Sequence, residues 1–115
     1  MEYMILIYQD TSRPAMPNDP ALVAAAYAPW MAYTKALIDA GVMVAGSQLA
    51  AHSAATTVRM RDGKRHVQDG PCADTKEQLA GYYIIRTSDL DTALDWAAKC
   101  PGALNGTIEV RPQVG

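Results

Sequence analysis

Apolar and polar residues along this chain fall into blocks that predict strands and helices in a definite order. Residues 3–8 form an unbroken apolar run in which Tyr3, Ile5 and Ile7 point one way and Met4, Leu6 and Tyr8 the other. A strand that is apolar on both faces has to be covered on both sides. Residues 9–20 contain Pro14, Pro17 and Pro20 among polar side chains and read as a loop. Asp19 is a ready N-cap and Pro20 suits the first helical position. Val23, Tyr27, Trp30, Thr34, Leu37 and Ile38 then recur at helical spacing, so a helix runs to about Ala40 and stops at Gly41. Pro29 lies inside it and predicts a kink or a split.

Residues 42–47 read as a second buried strand. Two further strands, 56–61 and 64–69, flank Asp62-Gly63, a strong two-residue hairpin signal. Counting outward from that turn pairs Val58 with Val67, Thr56 with Asp69, and Arg59 with His66. Val58, Val67, Thr56 and Asp69 therefore share one face. Arg59, Arg61, Lys64 and His66 share the other, which reads as solvated. Residues 74–77 have capping-box spacing and predict a helical turn, with Glu77 as its capping carboxylate. A strand within 79–86 is again apolar on both faces through Tyr82, Tyr83, Ile84 and Ile85. Ser88 and Asp91 predict the cap of a second helix with Leu90, Leu94 and Ala97 inward, ended by Pro101-Gly102. Residues 107–111 form a last strand with Ile108 and Val110 on one side.

This order, β-α-β-(hairpin)-β-α-β, predicts one α+β domain over residues 1–115: a ferredoxin-like split βαβ sheet with an inserted hairpin and both helices on one face. The remaining apolar face is then best covered by the same face of a second copy, so a homodimer is expected.

Composition narrows the function classes. At 115 residues the chain holds one core and not two. Half of its residues are hydrophobic and its net charge is -2, which gives no pull toward nucleic acid or anionic membrane. No apolar run reaches the roughly 20 residues of a membrane span, and the opening residues lack the basic start of a signal peptide. The expected setting is the cytoplasm. Cys72 and Cys100 have no CxxC spacing, and Cys100 reads as a buried small hydrophobe. His52 and His66 have no partner at metal-ligand spacing, so no metal is expected. Without a GxGxxG turn or a GxSxG elbow, no nucleotide cofactor or triad hydrolysis is expected.

Asp69 is the chief candidate for chemistry. Its carboxylate shares a face with Val58 and Val67, and Gly70-Pro71 then bends the chain away. A carboxylate beside apolar surface could act as general acid or base; the competing reading has it accept hydrogen bonds from the following turn. Lys76 is a candidate contact for an anionic ligand. Tyr8, Trp30 and Tyr82 belong between helix and sheet or at a dimer seam, where they could line a small-molecule pocket. Cys72 could be activated if a helix began just after it.

Residues 67–83, with Asp69-Gly70-Pro71-Cys72-Ala73-Asp74-Thr75-Lys76-Glu77 at their centre, resemble the signature of the DGPF family within the wider YCII-related superfamily. Residues 3–8, Ala40-Gly41-Val42 with Gly46, residues 55–59 and residues 108–112 resemble it too. The resemblance implies a ferredoxin-like fold dimerised as an α+β barrel. It also implies either small-molecule enzymes with a His–Asp pair or regulatory proteins found beside extracytoplasmic-function sigma factors. Set on Gly41, the helix position at which YCII proteins carry that histidine is Trp30 here, and the usual Phe of the signature is Cys72. The His–Asp mechanism does not carry over, because the imidazole that would take the proton is absent. Two functions are left. One is a homodimeric module that binds a small molecule or serves regulation. The other is a small-molecule enzyme with Asp69 as general acid or base in an apolar aromatic pocket. The missing histidine favours the first.

Overall fold

The two-faced run at the start of the chain becomes a central strand, β1 (Glu2–Asp10), of an antiparallel sheet. The computed structural model describes residues 1–12 and 18–115, so the middle of the proline-rich loop expected over 9–20 lies outside the described residues. The elements that follow are α1 (Pro20–Asp39), β2 (Met43–Gln48), β3 (Thr56–Arg61), β4 (Lys64–Asp69), β5 (Glu77–Arg86), α2 (Leu90–Lys99) and β6 (Thr107–Pro112). Four strands form one sheet in the order β2-β5-β1-β6, while β3 and β4 form a separate two-stranded sheet. The four-stranded order, with a helix after β1 and another after β5, is consistent with a ferredoxin-like α+β fold. Among the described residues no helix is long and apolar enough to cross a membrane.

The core lies on one side of the sheet. Tyr3, Ile5 and Ile7 are opposite Ile85, Tyr83 and Gly81 of β5. They cluster with Tyr33 and Leu37 of α1, Ala93 of α2 and Cys100. Ile5, Leu37 and Ile85 are fully buried, and burial of each such side chain stabilises by about 1.5–3 kcal/mol. Tyr33 ties the two helices together, its hydroxyl donating to the Trp96 carbonyl at 2.8 Å. On the other side, Met4 faces Ile84 and Leu6 faces Tyr82, with no helix over them, and all four are half-buried.

Local chemistry explains the boundaries. Asp19 caps α1 by accepting from the Ala21 amide at 2.9 Å, and Pro20 is the first helical residue. Gly41, at φ 73°, ends the helix: its amide donates to Ile38 and that of Val42 to Leu37, the paired bonds of a Schellman stop. The hairpin turn has Asp62 at φ 53° and Gly63 at φ 74°, and the pairs Val58–Val67, Thr56–Asp69 and Arg59–His66 form as counted.

Several expectations are corrected. α1 continues unbroken through Pro29 rather than splitting. Strand β2 is an edge strand, mostly exposed, and not a buried one. No helical turn forms over residues 74–77; Glu77 instead opens β5, and its carboxylate accepts from the Thr107 hydroxyl at 2.8 Å. In α2 the cap is Asp89, which accepts from the Thr92 amide at 2.8 Å, so Ser88 and Asp91 are not the capping pair. Leu90 and Leu94 are exposed, while Ala97 faces the core as expected and Ala93 joins it. Here α2 lies close to Tyr33, whose ring meets Trp96 and whose hydroxyl bonds to the Trp96 carbonyl, and the small Ala93 and Ala97 turn toward this contact.

Candidate functional site

A cavity of about 600 Å³ opens between α1 and the β2–β5 side of the sheet. It exists because the floor is bare backbone. Gly46 of β2 faces Tyr83, and Gly81 of β5 faces Ile7, so two of the positions under α1 have no side chain to fill the gap. Glycine inside a strand weakens it and marks a place where something else comes close. From α1, Tyr27, Trp30, Met31, Thr34 and Ile38 form one wall; Ile7, Met43 and Tyr83 supply apolar surface from the sheet.

Two polar pairs interrupt these apolar walls. Thr34 Oγ1 and the Tyr83 hydroxyl are 2.8 Å apart and share a hydrogen. Gln48 Nε2 donates to the Tyr27 hydroxyl at 3.0 Å. Gln9, Ser47 and Lys35 complete the lining, and Lys35 is bound to Asp39 at 2.5 Å on the exposed surface of α1. Burial pushes the Tyr83 hydroxyl above its ordinary pKa, with the Thr34 hydrogen bond acting the other way. Tyr83 is therefore a neutral phenol near neutral pH, able to donate or accept one hydrogen bond but not to serve as a base. Among the described residues no carboxylate, imidazole or thiol lines this cavity. Such a site can hold and orient an apolar molecule that carries one or two polar groups.

Trp30 divides the cavity from the core. The tip of its ring lies over Gly102, where an added Cβ would be 3.0 Å from Trp30 Cη2 and from Ile7 Cγ2. The bare backbone at Gly102, in the short turn Pro101–Ala103, thus sets how deep the indole sits.

The residues expected from sequence do not all gather here. Of the five, Trp30 lines the cavity. Tyr8 and Tyr82 lie on the opposite, uncovered face, opposite Thr107 and Leu6 respectively. Asp69 is exposed at the end of β4, across from Thr56 on the Val58–Val67 face. Lys76 is exposed in the segment before β5, its carbonyl accepting from the Thr11 amide at 2.7 Å. Neither Asp69 nor Lys76 borders this cavity. Cys72 is exposed, and no helix begins after it, so the activation by a helix start is absent. It borders a smaller apolar cavity of about 380 Å³ at the root of the hairpin. Cys100 is buried, as expected, and desolvation pushes its thiol up.

Sequence reasoning passed over Thr34, Tyr83, Gly46 and Gly81 as site residues. Two signals were available: a threonine within the apolar stripe of α1, and glycines within both β2 and β5.

A profile of the YCII-related domain matches residues 1–114 of the chain. Among curated proteins, an uncharacterized protein of Rhizobium meliloti (strain 1021) is 43% identical over 77 residues, which span 65% of this chain and 62% of the relative. The matched part is thus less than two thirds of that relative's length.

Proposed function

This chain belongs to the YCII-related domain family, and we propose that within it the protein is a homodimeric module that binds a small, largely apolar or aromatic molecule between α1 and the sheet. One observation carries the reading. The cavity of about 600 Å³ is apolar apart from a few placed hydroxyl, amide and amine groups, and among the described residues no carboxylate, imidazole or thiol lines it. The pairing is supported by the face opposite the core, where Met4, Leu6, Tyr82 and Ile84 form a half-buried apolar surface with neither described helix over it. Burying such a face against its equivalent would close the two sheets into the α+β barrel that the family resemblance implies.

The alternative is an enzyme with Asp69 as general acid or base. It has less support, because in one chain Asp69 is exposed and borders neither cavity.

Calorimetric titration with naphthol, a flat aromatic with one hydroxyl, tests the binding. Wild-type chain is expected to bind it, and Ala26→Phe is expected to bind it at least about tenfold more weakly. Ala26 lines the cavity and is exposed, so the larger ring takes up ligand space without entering the core. Equal binding by the two proteins would place the ligand elsewhere and remove the reading.

A further inference from the structure

Among the described residues the β3–β4 hairpin pairs with no third strand, and a lone two-stranded sheet is marginal in water unless something covers its apolar face. On that face Val58 and Val67 are cross-strand partners and Met60 follows. All three are 57% exposed, an unusual level for three neighbouring apolar side chains. The root of the hairpin is closed by its own two strands, the Gly70 amide donating to the Ala55 carbonyl at 2.7 Å and the Thr57 hydroxyl donating to the Gly70 carbonyl at 2.8 Å. The chain is accordingly flat and extended. It measures 47 × 43 × 19 Å, with a radius of gyration of 16.2 Å, against about 13 Å for a compact chain of this length.

Charge points to the occupant. Residues 56–69 carry Arg59, Arg61, Lys64 and Arg65 against Asp62 and Asp69, a net charge of +2 in a chain of net -2, so the rest of the molecule carries -4. Arg65 lies on the apolar face, opposite Met60, while Arg59, Arg61 and Lys64 lie on the other, so the hairpin as a whole is complementary in sign to the body of its own sequence. Its root also adjoins the uncovered sheet face. Ala55, Pro71 and Cys72 share the smaller cavity with Leu79, and Leu79 is opposite Tyr8 on that face.

We infer that the β3–β4 hairpin is an arm that closes over a second copy of this chain, burying Val58, Met60 and Val67 against that copy with Arg65 beside them. The inference rests on the pairing proposed above and adds to it: two-fold symmetry makes the clasp reciprocal, each copy giving one arm and receiving one.

Sedimentation equilibrium on the full chain tests it, with circular dichroism to confirm that each variant folds. Val58→Asp/Val67→Asp changes only the arm, Leu6→Asp only the sheet face, and Arg61→Gln/Lys64→Gln only the arm's charge. The expected result is a folded double-aspartate variant whose dimer dissociates about a hundredfold more readily than wild type. Wild-type dimer should also weaken with added salt, and Arg61→Gln/Lys64→Gln should flatten that dependence. If Leu6→Asp separates the copies while the double-aspartate variant pairs as tightly as wild type, the arm inference falls and the sheet-face pairing stands. A monomeric wild type overturns both.

Discussion

Replacing Gly102 with alanine puts one methyl group where the chain leaves no room, and the structure indicates what gives way. The new Cβ would meet Ile7 Cγ2 and Trp30 Cη2 at 3.0 Å and Ile108 Cδ1 at 3.4 Å. Carbon atoms prefer about 3.5–4.0 Å, so a shift of at least about half an ångström is needed. Ile7 is 4% exposed and held in the sheet between β5 and β6. Trp30 is half-buried with the cavity beside it. The indole therefore moves, and it moves into the ligand space. Overpacking of this kind costs about 1–3 kcal/mol. Gly102 has no left-handed backbone, since its φ is not positive, so alanine also returns about 0.4–1 kcal/mol by restricting the unfolded chain. Mid-range values leave a net loss of about 1.3 kcal/mol. With an unfolding entropy of about 0.24 kcal/mol/K for a chain of this size, Tm falls by about 5 °C. Thermal unfolding by circular dichroism measures that. Trp30 emission, read in a Trp96→Phe background, should shift as the ring changes position. Naphthol binding should weaken by more than the fall in stability suggests. An unchanged Tm together with unchanged Trp30 emission would refute the account of how the cavity wall is set.

Other consequences follow from the same geometry. Thr34→Val and Tyr83→Phe each remove one partner of a 2.8 Å hydrogen bond. Denaturant unfolding of both singles and the double should give a coupling energy of about 0.5–1.5 kcal/mol, and additive losses would mean the bond contributes nothing. Burial raises the ionisation of Tyr33, Tyr83 and Cys100 above the ordinary 10.0 of tyrosine and 9.0 of cysteine. The folded state thus favours the neutral forms: their contribution is fully present below those ordinary values and is lost as pH rises through the folded ones. Tm should hold up to about pH 9 and fall beyond it, and a level Tm to about pH 10.5 would contradict the burial of these groups. Asp69→Asn should leave naphthol affinity within about twofold of wild type; a larger loss in a folded variant would restore Asp69 to the site.

Much of the fold was legible because local signals and packing agree. The Asp62-Gly63 turn sets the hairpin register by counting, and the Asp19-Pro20 start and Gly41 stop bound α1 through hydrogen bonds made within a few residues. The two-faced runs of β1 and β5 identify the central strands. What failed depends on longer distances. Leu90 and Leu94 satisfy a helical pattern as well as Ala93 does, and the close approach of α2 to Tyr33 decides between them. The capping-box spacing of residues 74–77 is overridden because Glu77 is drawn into pairing with β1 and bonds Thr107 of β6. The site was harder to read than the fold. Trp30 was found from its place on the helix, but Tyr8 and Tyr82 fall on the other side of the sheet by strand alternation. The cavity floor consists of two glycines, whose missing side chains make the space.

The central claim is that a small apolar or aromatic molecule binds between α1 and the sheet, not on the uncovered face. Amide chemical-shift mapping of the isotope-labelled chain with naphthol tests it most directly. The predicted result is a set of concentration-dependent shifts concentrated at Trp30, Thr34, Gly46, Ser47 and Tyr83, with Met4, Leu6 and Ile84 unmoved. Shifts confined to Met4, Leu6 and Ile84, or none at any concentration, would contradict it.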